Sequence, residues 1–214
     1  MKVFIMAQGK GSRWNHGVAT VANYKQLLEI KPGERIIQRT IRQFSKYNPI
    51  VIANGDFADY VLMMRSLHEP TGSINEGILS LHEDWNKVGY TTILLGDVVF
   101  SNDAVRKIIN CEHDFTIFCR DGANKVTGKD AREIFALKFN HLRISWIMKL
   151  LMTLKAEQAP KLWNMWEKVQ NMRPKPIEII DDYTDDVDSI QEYNARFSIL
   201  RRCVKEDDEK LSVY

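Results

Sequence analysis

The stretch that decides the fold is the N-terminal one, Lys2-Val3-Phe4-Ile5-Met6-Ala7-Gln8-Gly9-Lys10-Gly11-Ser12-Arg13. Its apolar half, residues 3–7, predicts a buried β-strand that runs directly into a turn with two glycines. Glycine lets the backbone turn sharply and brings its N–H groups close to an anion, and Lys10 and Arg13 add positive charge at the same place. The stretch therefore predicts a strand followed by a phosphate-binding loop.

Two familiar phosphate-binding loops do not fit this stretch. A Walker A loop needs Gly-Lys-Ser or Gly-Lys-Thr after four intervening residues, and the dinucleotide-binding loop needs a third glycine where Trp14 stands. The alternative, in which residues 9–13 form only a basic turn, stays open on these residues alone.

Short β-branched runs alternate with longer helical patterns over the first 140 residues. This alternation is typical of a three-layer, Rossmann-like α/β fold with a mainly parallel mixed sheet. The predicted strands cover residues 3–7, 49–53, 91–95, 115–119 and 134–139, and the predicted helices cover residues 36–46, 57–67, 73–87 and 103–110. Ser73 with Glu76 fits a capping box, and Ser101 begins a set of cap residues for the last helix.

The second part of the chain is a helical insertion followed by a returning segment. Residues 141–176 are rich in Trp and Met, and their apolar spacing predicts core or lid packing, with an acceptor pocket or a dimer surface as the alternatives. Residues 177–204 predict a short strand, an acidic turn and an amphipathic helix. We expect residues 205–210, KEDDEK, to be a solvated end. No linker divides the chain, so residues 1–214 predict a single domain.

Composition excludes several classes of protein. The 214 residues include 30 Lys and Arg against 28 Asp and Glu, a net charge of +2. Such a chain has no overall field to capture nucleic acid or an anionic membrane, and no apolar run approaches the length of a membrane span. Three cysteines without paired spacing suit a reducing compartment. We expect a cytoplasmic protein without a nucleic-acid or membrane partner.

Two further motifs, Lys25-Gln26-Leu27-Leu28-Glu29-Ile30 and Gly33-Glu34-Arg35-Ile36-Ile37, follow the opening stretch. Together the three resemble the nucleotidyltransferases of the GT-A type, the sugar-phosphate pyrophosphorylases, and the segment that begins at Lys25 is similar to that of the glucose-1-phosphate thymidylyltransferases. The resemblance implies that residues 1–140 form a nucleotide-binding core. It also implies that Arg13 neutralises the β- and γ-phosphates and that Lys25 contacts the reacting phosphate. The residues it implies for triphosphate binding are Ala7, Gln8, Gly9, Lys10, Gly11, Ser12 and Arg13.

A carboxylate ends the predicted strand Ile93-Leu94-Leu95-Gly96-Asp97. Ligands collect at the carboxyl ends of the strands of an open parallel sheet, so Asp97 and the opening loop are expected at one edge. Related enzymes carry an Mg²⁺-binding aspartate here, and the resemblance therefore implies that Asp97 is a metal ligand. A plain Gly-Asp turn is the alternative.

Five aspartates lie within residues 181–188. With no base among them, they would repel one another unless solvated or bound to a cation. The piece Asp186-Val187-Asp188-Ser189 resembles the family segment that returns a second metal ligand, for which Asp188 is the first candidate and Asp186 the second. A surface loop with helix-capping aspartates is the alternative.

The segment around Gly72 and Ser73 is the weakest of the signals. The resemblance makes both residues candidates for base recognition, and a plain N-cap is the alternative for Ser73. As a whole, the resemblance implies Mg²⁺-dependent transfer of a nucleoside monophosphate from a nucleoside triphosphate to a phosphorylated small-molecule acceptor, with a sugar 1-phosphate favoured and a homodimer possible. A GT-A glycosyltransferase and a catalytically inactive nucleotide-binding module are the alternatives.

Overall fold

The computed structural model describes residues 1–8, 24–53, 73–159 and 161–211, and the structural statements below refer to these residues. The strands are β1 Lys2–Ala7, β2 Glu29–Lys31, β3 Glu34–Arg35, β4 Ile50–Ala53, β5 Tyr90–Leu95, β6 Val98–Val99, β7 Phe115–Arg120, β8 Glu133–Asn140, β9 Ile177–Ile179 and β10 Asp185–Asp186. The helices are α1 Ile36–Gln43, α2 Ile74–Ser80, α3 Asn102–Asn110, α4 Ile144–Ala156, α5 Leu162–Val169 and α6 Ile190–Leu211.

Six strands form the central sheet in the order β4-β1-β5-β8-β7-β9. Strand β8 is antiparallel to β5 and β7, whereas the other neighbouring pairs are parallel. The carboxyl ends of the other five strands therefore lie at one edge of the sheet, which we call the carboxyl edge. The predicted mainly parallel mixed sheet is confirmed.

Apolar side chains cover both faces of this sheet. Successive residues of a strand point to opposite faces, and in β1 the side chains of Val3 and Ile5 join one core while those of Phe4 and Met6 join the other. Helices α1 and α3 contribute to the first core, and α2, α4 and α5 contribute to the second. The predicted three-layer α/β architecture is confirmed.

The Trp- and Met-rich stretch packs against the second core, as its apolar spacing predicts. Ile147, Leu151 and Leu154 of α4 are buried there. Asn75 in the first turn of α2 donates hydrogen bonds from Nδ2 to the carbonyl oxygens of Ala159, at 2.8 Å, and Lys161, at 3.1 Å. This side chain ties α2 to the connection between α4 and α5.

Two short ribbons carry the remaining strands. The β2–β3 hairpin turns at Gly33, whose φ of 75° favours glycine. Strand β6 pairs in antiparallel fashion with β10. Helix α6 packs across both ribbons through a third apolar cluster that includes Ile30, Val99, Val187 and Phe197. The ribbons and α6 therefore form one unit beside the sheet.

Helix ends differ from the predictions in detail. The helix predicted over residues 73–87 ends at Ser80, and the one predicted over residues 36–46 ends at Gln43, followed by a 3₁₀ turn. Ser101 caps α3, since its Oγ accepts a hydrogen bond from the Ala104 N–H at 2.8 Å. The helix predicted over residues 57–67 lies outside the described residues. No helix of the described part of the chain is long and apolar enough to span a membrane.

The expectation that residues 205–210 form a solvated end holds for four of them, which are exposed, and fails for Asp207 and Asp208. They continue α6, and there Asp208 accepts a hydrogen bond at 2.7 Å from Arg39 of α1, whose side chain is only 1% exposed. A buried guanidinium needs carboxylate partners, and the acidic end of α6 supplies them. We call this group of ion-paired residues the α6 clamp: Lys31, Glu34, Arg39, Arg42, Asp207 and Asp208.

Candidate active site

A close approach between β5 and β1 places Asp97 at the carboxyl edge. The Gly96 N–H donates a hydrogen bond to the Met6 carbonyl oxygen at 2.9 Å. A Cβ on Gly96 would lie 2.9 Å from that oxygen and 3.2 Å from the Ala7 Cβ, so only glycine fits. The chain therefore leaves β5 directly beside the end of β1, where the opening loop begins.

The β6–β10 ribbon brings the acidic turn to the same place. Asp186 is the register partner of Val98, the residue after Asp97. One carboxylate oxygen from each of Asp97, Asp186 and Asp188 lies within 4.8 Å of the others. We call these three residues the carboxylate cluster. Asp97 and Asp186 are 89 positions apart in the sequence, and the pairing of β6 with β10 brings them together.

Lys25 lies between two members of the carboxylate cluster. It begins the 3₁₀ turn Lys25–Leu27, just before the hairpin. Its Nζ is 2.7 Å from Asp97 Oδ2 and 2.9 Å from Asp188 Oδ1. Burial by itself would lower the pKa of Lys25, but the negative charges of Asp97, Asp188 and Asp186 outweigh burial and raise it. Lys25 is therefore positively charged throughout the neutral range.

A second lysine, Lys129, also contacts the carboxylate cluster. Its Nζ is 2.6 Å from Asp186 Oδ1 and 3.4 Å from Asp188 Oδ2, and it also contacts Glu133 at 3.2 Å and Glu192 at 3.4 Å. Burial would lower its pKa, but the surrounding carboxylates, Asp186 first, raise it. Sequence reasoning missed Lys129 and Glu133, because a lysine in a polar loop and a glutamate at the start of a strand carry no motif.

A buried ion pair holds the loop that carries Lys129. Arg120, at the end of β7, donates from Nη1 to Asp185 Oδ1 at 2.9 Å, and both side chains are almost fully buried. Asn124 donates to Asp185 Oδ2 at 3.3 Å, and its own Oδ1 accepts from the N–H groups of Val126, at 2.8 Å, and Thr127, at 2.9 Å. The loop between β7 and β8 is thereby fixed to β10, with Lys129 over the carboxylates.

Residues that are far away in the sequence provide hydrogen-bond and ion-pair partners for the aspartates of the acidic turn. Asp181 pairs with exposed Lys125 at 2.6 Å, and Asp182 accepts a hydrogen bond from Ser101 Oγ at 2.6 Å. Asp185 belongs to the buried pair with Arg120. The expectation that the five aspartates depend on water or a bound cation is therefore incomplete, because it considered only bases nearby in sequence.

Asp186 and Glu133, two of the carboxylates that contact Lys129, have raised pKa values. Burial, followed by the negative charges of Glu133 and Asp188, raises the pKa of Asp186 well above its ordinary value. Burial also raises the pKa of Glu133, despite its contact with Lys129. An added cation would stabilise the charged form of both groups. Carboxylate oxygens are the ligands that Mg²⁺ prefers, and the ammonium group of Lys25 already stands between two of them, so the donor set fits this ion.

The structure brings together four of the predicted site residues: Lys25, Asp97, Asp186 and Asp188. Their catalytic and metal-binding roles stay predictions. Ala7 ends β1, is buried and lies beside Gly96, and Gln8 follows it in the chain. Ser73 caps α2, its Oγ accepting from the Glu76 N–H at 3.2 Å, which is the alternative to base recognition. The other predicted residues lie outside the described part of the chain: Gly9, Lys10, Gly11, Ser12, Arg13 and Gly72.

Neither a protein-family model nor a curated protein sequence matches this chain. Solved structures do. A structure described as a glucose-1-phosphate thymidylyltransferase from Bacillus anthracis matches with a TM-score of 0.66 at 14% identity, covering 94% of this chain and 95% of that one. The inositol-1-phosphate CTP transferase from T. maritima matches with a TM-score of 0.60 at 12% identity, with coverages of 94% and 95%.

A third similar structure is the CTP:phosphocholine cytidylyltransferase from Streptococcus pneumoniae. It matches with a TM-score of 0.56 at 14% identity, covering 90% of this chain and 96% of that one. Identities this low establish a fold rather than an activity, and the fold agrees with the resemblance of the opening motifs. The chain has the α/β fold of the GT-A type nucleotidyltransferases.

Proposed function

We propose that this protein is a nucleotidyltransferase that moves a nucleoside monophosphate from a nucleoside triphosphate to a phosphorylated small-molecule acceptor and releases pyrophosphate. One observation carries the proposal: the carboxylates of Asp97, Asp186 and Asp188 converge at the carboxyl edge, with the Lys25 ammonium group between two of them. In this fold class, ligands bind at that edge.

The proposed reaction joins two anions, so its barrier lies largely in bringing negative charges together. An acceptor phosphate oxygen attacks the α-phosphorus, and the bond to the leaving pyrophosphate breaks. Lys25 offsets charge on the reacting phosphate, and Arg13 of the opening loop is proposed to offset charge on the leaving group. Asp97 and Asp188, with Asp186, would hold Mg²⁺, which would supply Lewis-acid stabilisation of the phosphate oxygens.

The residues around the site fit a reaction that needs no general base. The attacking phosphate oxygen is already deprotonated at neutral pH, so no side chain has to remove a proton. The site accordingly combines carboxylates with the lysines Lys25 and Lys129, both of which keep their positive charge. Such groups stabilise charge on phosphates rather than transfer protons.

A sugar 1-phosphate is the favoured acceptor, because the segment Lys25-Gln26-Leu27-Leu28 resembles that of the glucose-1-phosphate thymidylyltransferases. We place the acceptor beside the helical region of residues 141–176. There α5 brings the stacked rings of Trp163 and Trp166 under the guanidinium of Arg132, which is 5.8 Å from each ring centre and directly precedes Glu133. In this proposal Arg132 and the partly exposed Trp163 contact the organic part of the acceptor, since Glu133, the residue after Arg132, contacts Lys129 beside the carboxylate cluster.

The β6–β10 pairing argues against the glycosyltransferase alternative. Those enzymes use an Asp-x-Asp on a central strand, whereas here Val98 and Val99 follow Asp97 and are buried in the ribbon. The second carboxylate comes instead from β10 and the residues after it. This arrangement supports a metal site assembled from two segments that are far apart in the sequence.

The test is Mg²⁺-dependent release of pyrophosphate from each of ATP, GTP, CTP, UTP and dTTP. Each triphosphate is paired with pooled sugar 1-phosphates and, separately, with inositol 1-phosphate and phosphocholine. Asp97→Asn removes the proposed ligand, and Asp103→Asn, at an exposed position of α3, is the matched control. We expect release with one triphosphate, lost in Asp97→Asn and kept in Asp103→Asn.

Two results would contradict the proposal. Protein that binds a triphosphate yet releases no pyrophosphate with any acceptor would be an inactive nucleotide-binding module. Release that persists in Asp97→Asn would remove the proposed role of the carboxylate cluster.

A further inference from the structure

The ammonium groups of two lysines lie between the carboxylates that we propose as metal ligands. Lys25 Nζ bridges Asp97 and Asp188, at 2.7 and 2.9 Å. Lys129 Nζ bridges Asp186 and Asp188, at 2.6 and 3.4 Å. Each pair of ligands is therefore already joined by a positive charge that belongs to the protein.

An ion such as Mg²⁺ competes with these ammonium groups. It takes oxygen ligands at about 2.0–2.1 Å and would draw the same oxygen atoms around itself. An ammonium group between two of those oxygens blocks this arrangement by position and repels the ion by charge. Lys25, at least, must leave the space between Asp97 and Asp188 before both can ligate one ion.

A displaced Lys25 needs a new partner, because its ion pairs are with Asp97 and Asp188, whereas Lys129 also contacts Glu133 and Glu192. The side chain of Lys129 is 5% exposed and that of Lys25 is 12% exposed. Leaving such a charge unpaired is costly, so metal binding without a replacement anion is opposed. A phosphate oxygen in the site would supply that replacement.

We propose that Lys25 and Lys129 are exchangeable counter-ions, which hold the carboxylate cluster in the free protein and move onto phosphate oxygens when metal and triphosphate bind together. Binding of the metal then depends on the phosphate, and by linkage binding of the phosphate depends on the metal to the same factor. The inference rests on the proposed metal site, although it is independent of which base and which acceptor are used.

The choice of lysine fits this role. Its ammonium group is a compact charge on a flexible stem, whereas arginine holds a carboxylate in a fixed planar geometry. Here the arginine, Arg120, pairs with Asp185, which anchors the loop and is not a member of the carboxylate cluster. The lysines pair with the proposed ligands. The arginine therefore forms a fixed ion pair, whereas each of the two lysines can exchange its partners.

The first test measures Mn²⁺ binding by electron paramagnetic resonance, with the metal alone and no nucleotide. We expect weak binding by the wild-type protein. Lys129→Met and, independently, Lys25→Met should each tighten it by at least about tenfold, because a competing charge is gone. Lys125→Met is the matched control: Lys125 is 77% exposed, pairs with Asp181 rather than with the carboxylate cluster, and should leave Mn²⁺ binding unchanged.

Two further arms locate the effect and use the unaltered protein. Adding Asp97→Asn to Lys129→Met should abolish the tightened binding, which assigns it to the carboxylate cluster. In ultrafiltration, wild-type protein should retain Mn²⁺ only when inorganic tripolyphosphate is present, whereas Lys129→Met should retain it without tripolyphosphate. This wild-type arm remains decisive even if a lysine variant does not fold.

Tight Mn²⁺ binding by the wild-type protein alone, unchanged or weakened in both lysine variants, would overturn the counter-ion role while leaving the nucleotidyltransferase proposal in place. Failure of every protein to retain Mn²⁺, with or without tripolyphosphate, would overturn both the counter-ion role and the proposed metal site.

Discussion

The carboxylate cluster and the α6 clamp use the same kinds of side chain with different balances of charge. In the clamp, three cations face three carboxylates: Lys31, Arg39 and Arg42 against Glu34, Asp207 and Asp208. Around the carboxylate cluster, within the described part of the chain, five carboxylates face three cations: Asp97, Glu133, Asp186, Asp188 and Glu192 against Lys25, Lys129 and Arg196, the last at 4.0 Å from Glu192. The clamp is balanced, and the site is acidic.

The pKa shifts follow this difference. In the clamp, hydrogen bonds from Arg42 and Lys31 overcome the effect of burial and lower the pKa of Glu34. Those from Lys31 and Arg39 do the same for Asp208. At the site, burial and neighbouring carboxylates raise the pKa of Asp186. A cluster with balanced charges stabilises the fold by itself. In an acidic cluster the carboxylates repel one another and lower the stability of the fold, and a bound cation can restore that stability.

The largest expected difference is in turnover. Asp97→Asn should lower Mg²⁺-dependent pyrophosphate release by about 10³-fold, because it removes a charge aimed at the reacting phosphates. Asp208→Asn should leave turnover per folded molecule near that of the wild-type protein. Steady-state kinetics with circular dichroism as a check on folding measure both, and equal losses in the two variants would break the distinction between the clusters.

The next difference is in stability. Arg39→Met should lower the free energy of unfolding by about 3 kcal/mol, because it breaks the buried ion pair with Asp208 and leaves that carboxylate to the more exposed Lys31 and Arg42. Arg42→Met, which changes a half-exposed arginine on the same Asp208, should cost less than about 1 kcal/mol. Urea unfolding measures both, and a similar cost for the two would show that burial does not decide the strength of the clamp.

The pH dependence should have opposite signs in the two clusters. The lowered pKa of Asp208 contributes stability above its ordinary pKa of 3.8, and that contribution is lost as the pH falls through the lowered value. The raised pKa of Glu133 contributes stability at low pH that is lost as the pH rises through the raised value.

Urea unfolding in EDTA across the acidic range measures this contrast. The destabilisation caused by Asp208→Asn should vanish at the acid end. Any stabilisation by Glu133→Gln should appear only at the neutral end. Parallel pH profiles for the two variants would contradict the assignment of opposite charge balances.

The sequence predicts the fold better than it predicts the environment of the site. Strands β1, β4, β5, β7 and β8 follow from β-branched runs, because burial on both faces of a sheet imposes a local pattern. Asp97 can be located because the end of a strand is a local feature. Lys129 cannot, because its position depends on Asn124 and the buried Arg120–Asp185 pair, which join parts of the chain 65 positions apart.

The α6 clamp is a second example in which the local sequence does not predict the environment of a charged side chain. An acidic run near the end of a helix indicates a solvated surface when only its neighbours in sequence are considered. The partner that reverses this interpretation, Arg39, lies in α1, and its burial is decided by how α6 packs on the hairpin. Charged residues are placed by tertiary contacts that leave no periodic pattern.

Neutralising one carboxylate in each cluster and measuring the free energy of unfolding at neutral pH in EDTA tests the difference in charge balance most directly. Asp186→Asn keeps an oxygen that can accept from Lys129 while removing a charge that burial opposes, so it should stabilise the protein. Asp208→Asn should destabilise it by about 3 kcal/mol, because it leaves the buried guanidinium of Arg39 with only the longer contact to Asp207, at 3.7 Å. Added Mg²⁺ with tripolyphosphate should stabilise the wild-type protein and not Asp186→Asn. Destabilisation by both substitutions in EDTA would contradict the claim that the carboxylate cluster has an excess of negative charge that a bound cation stabilises.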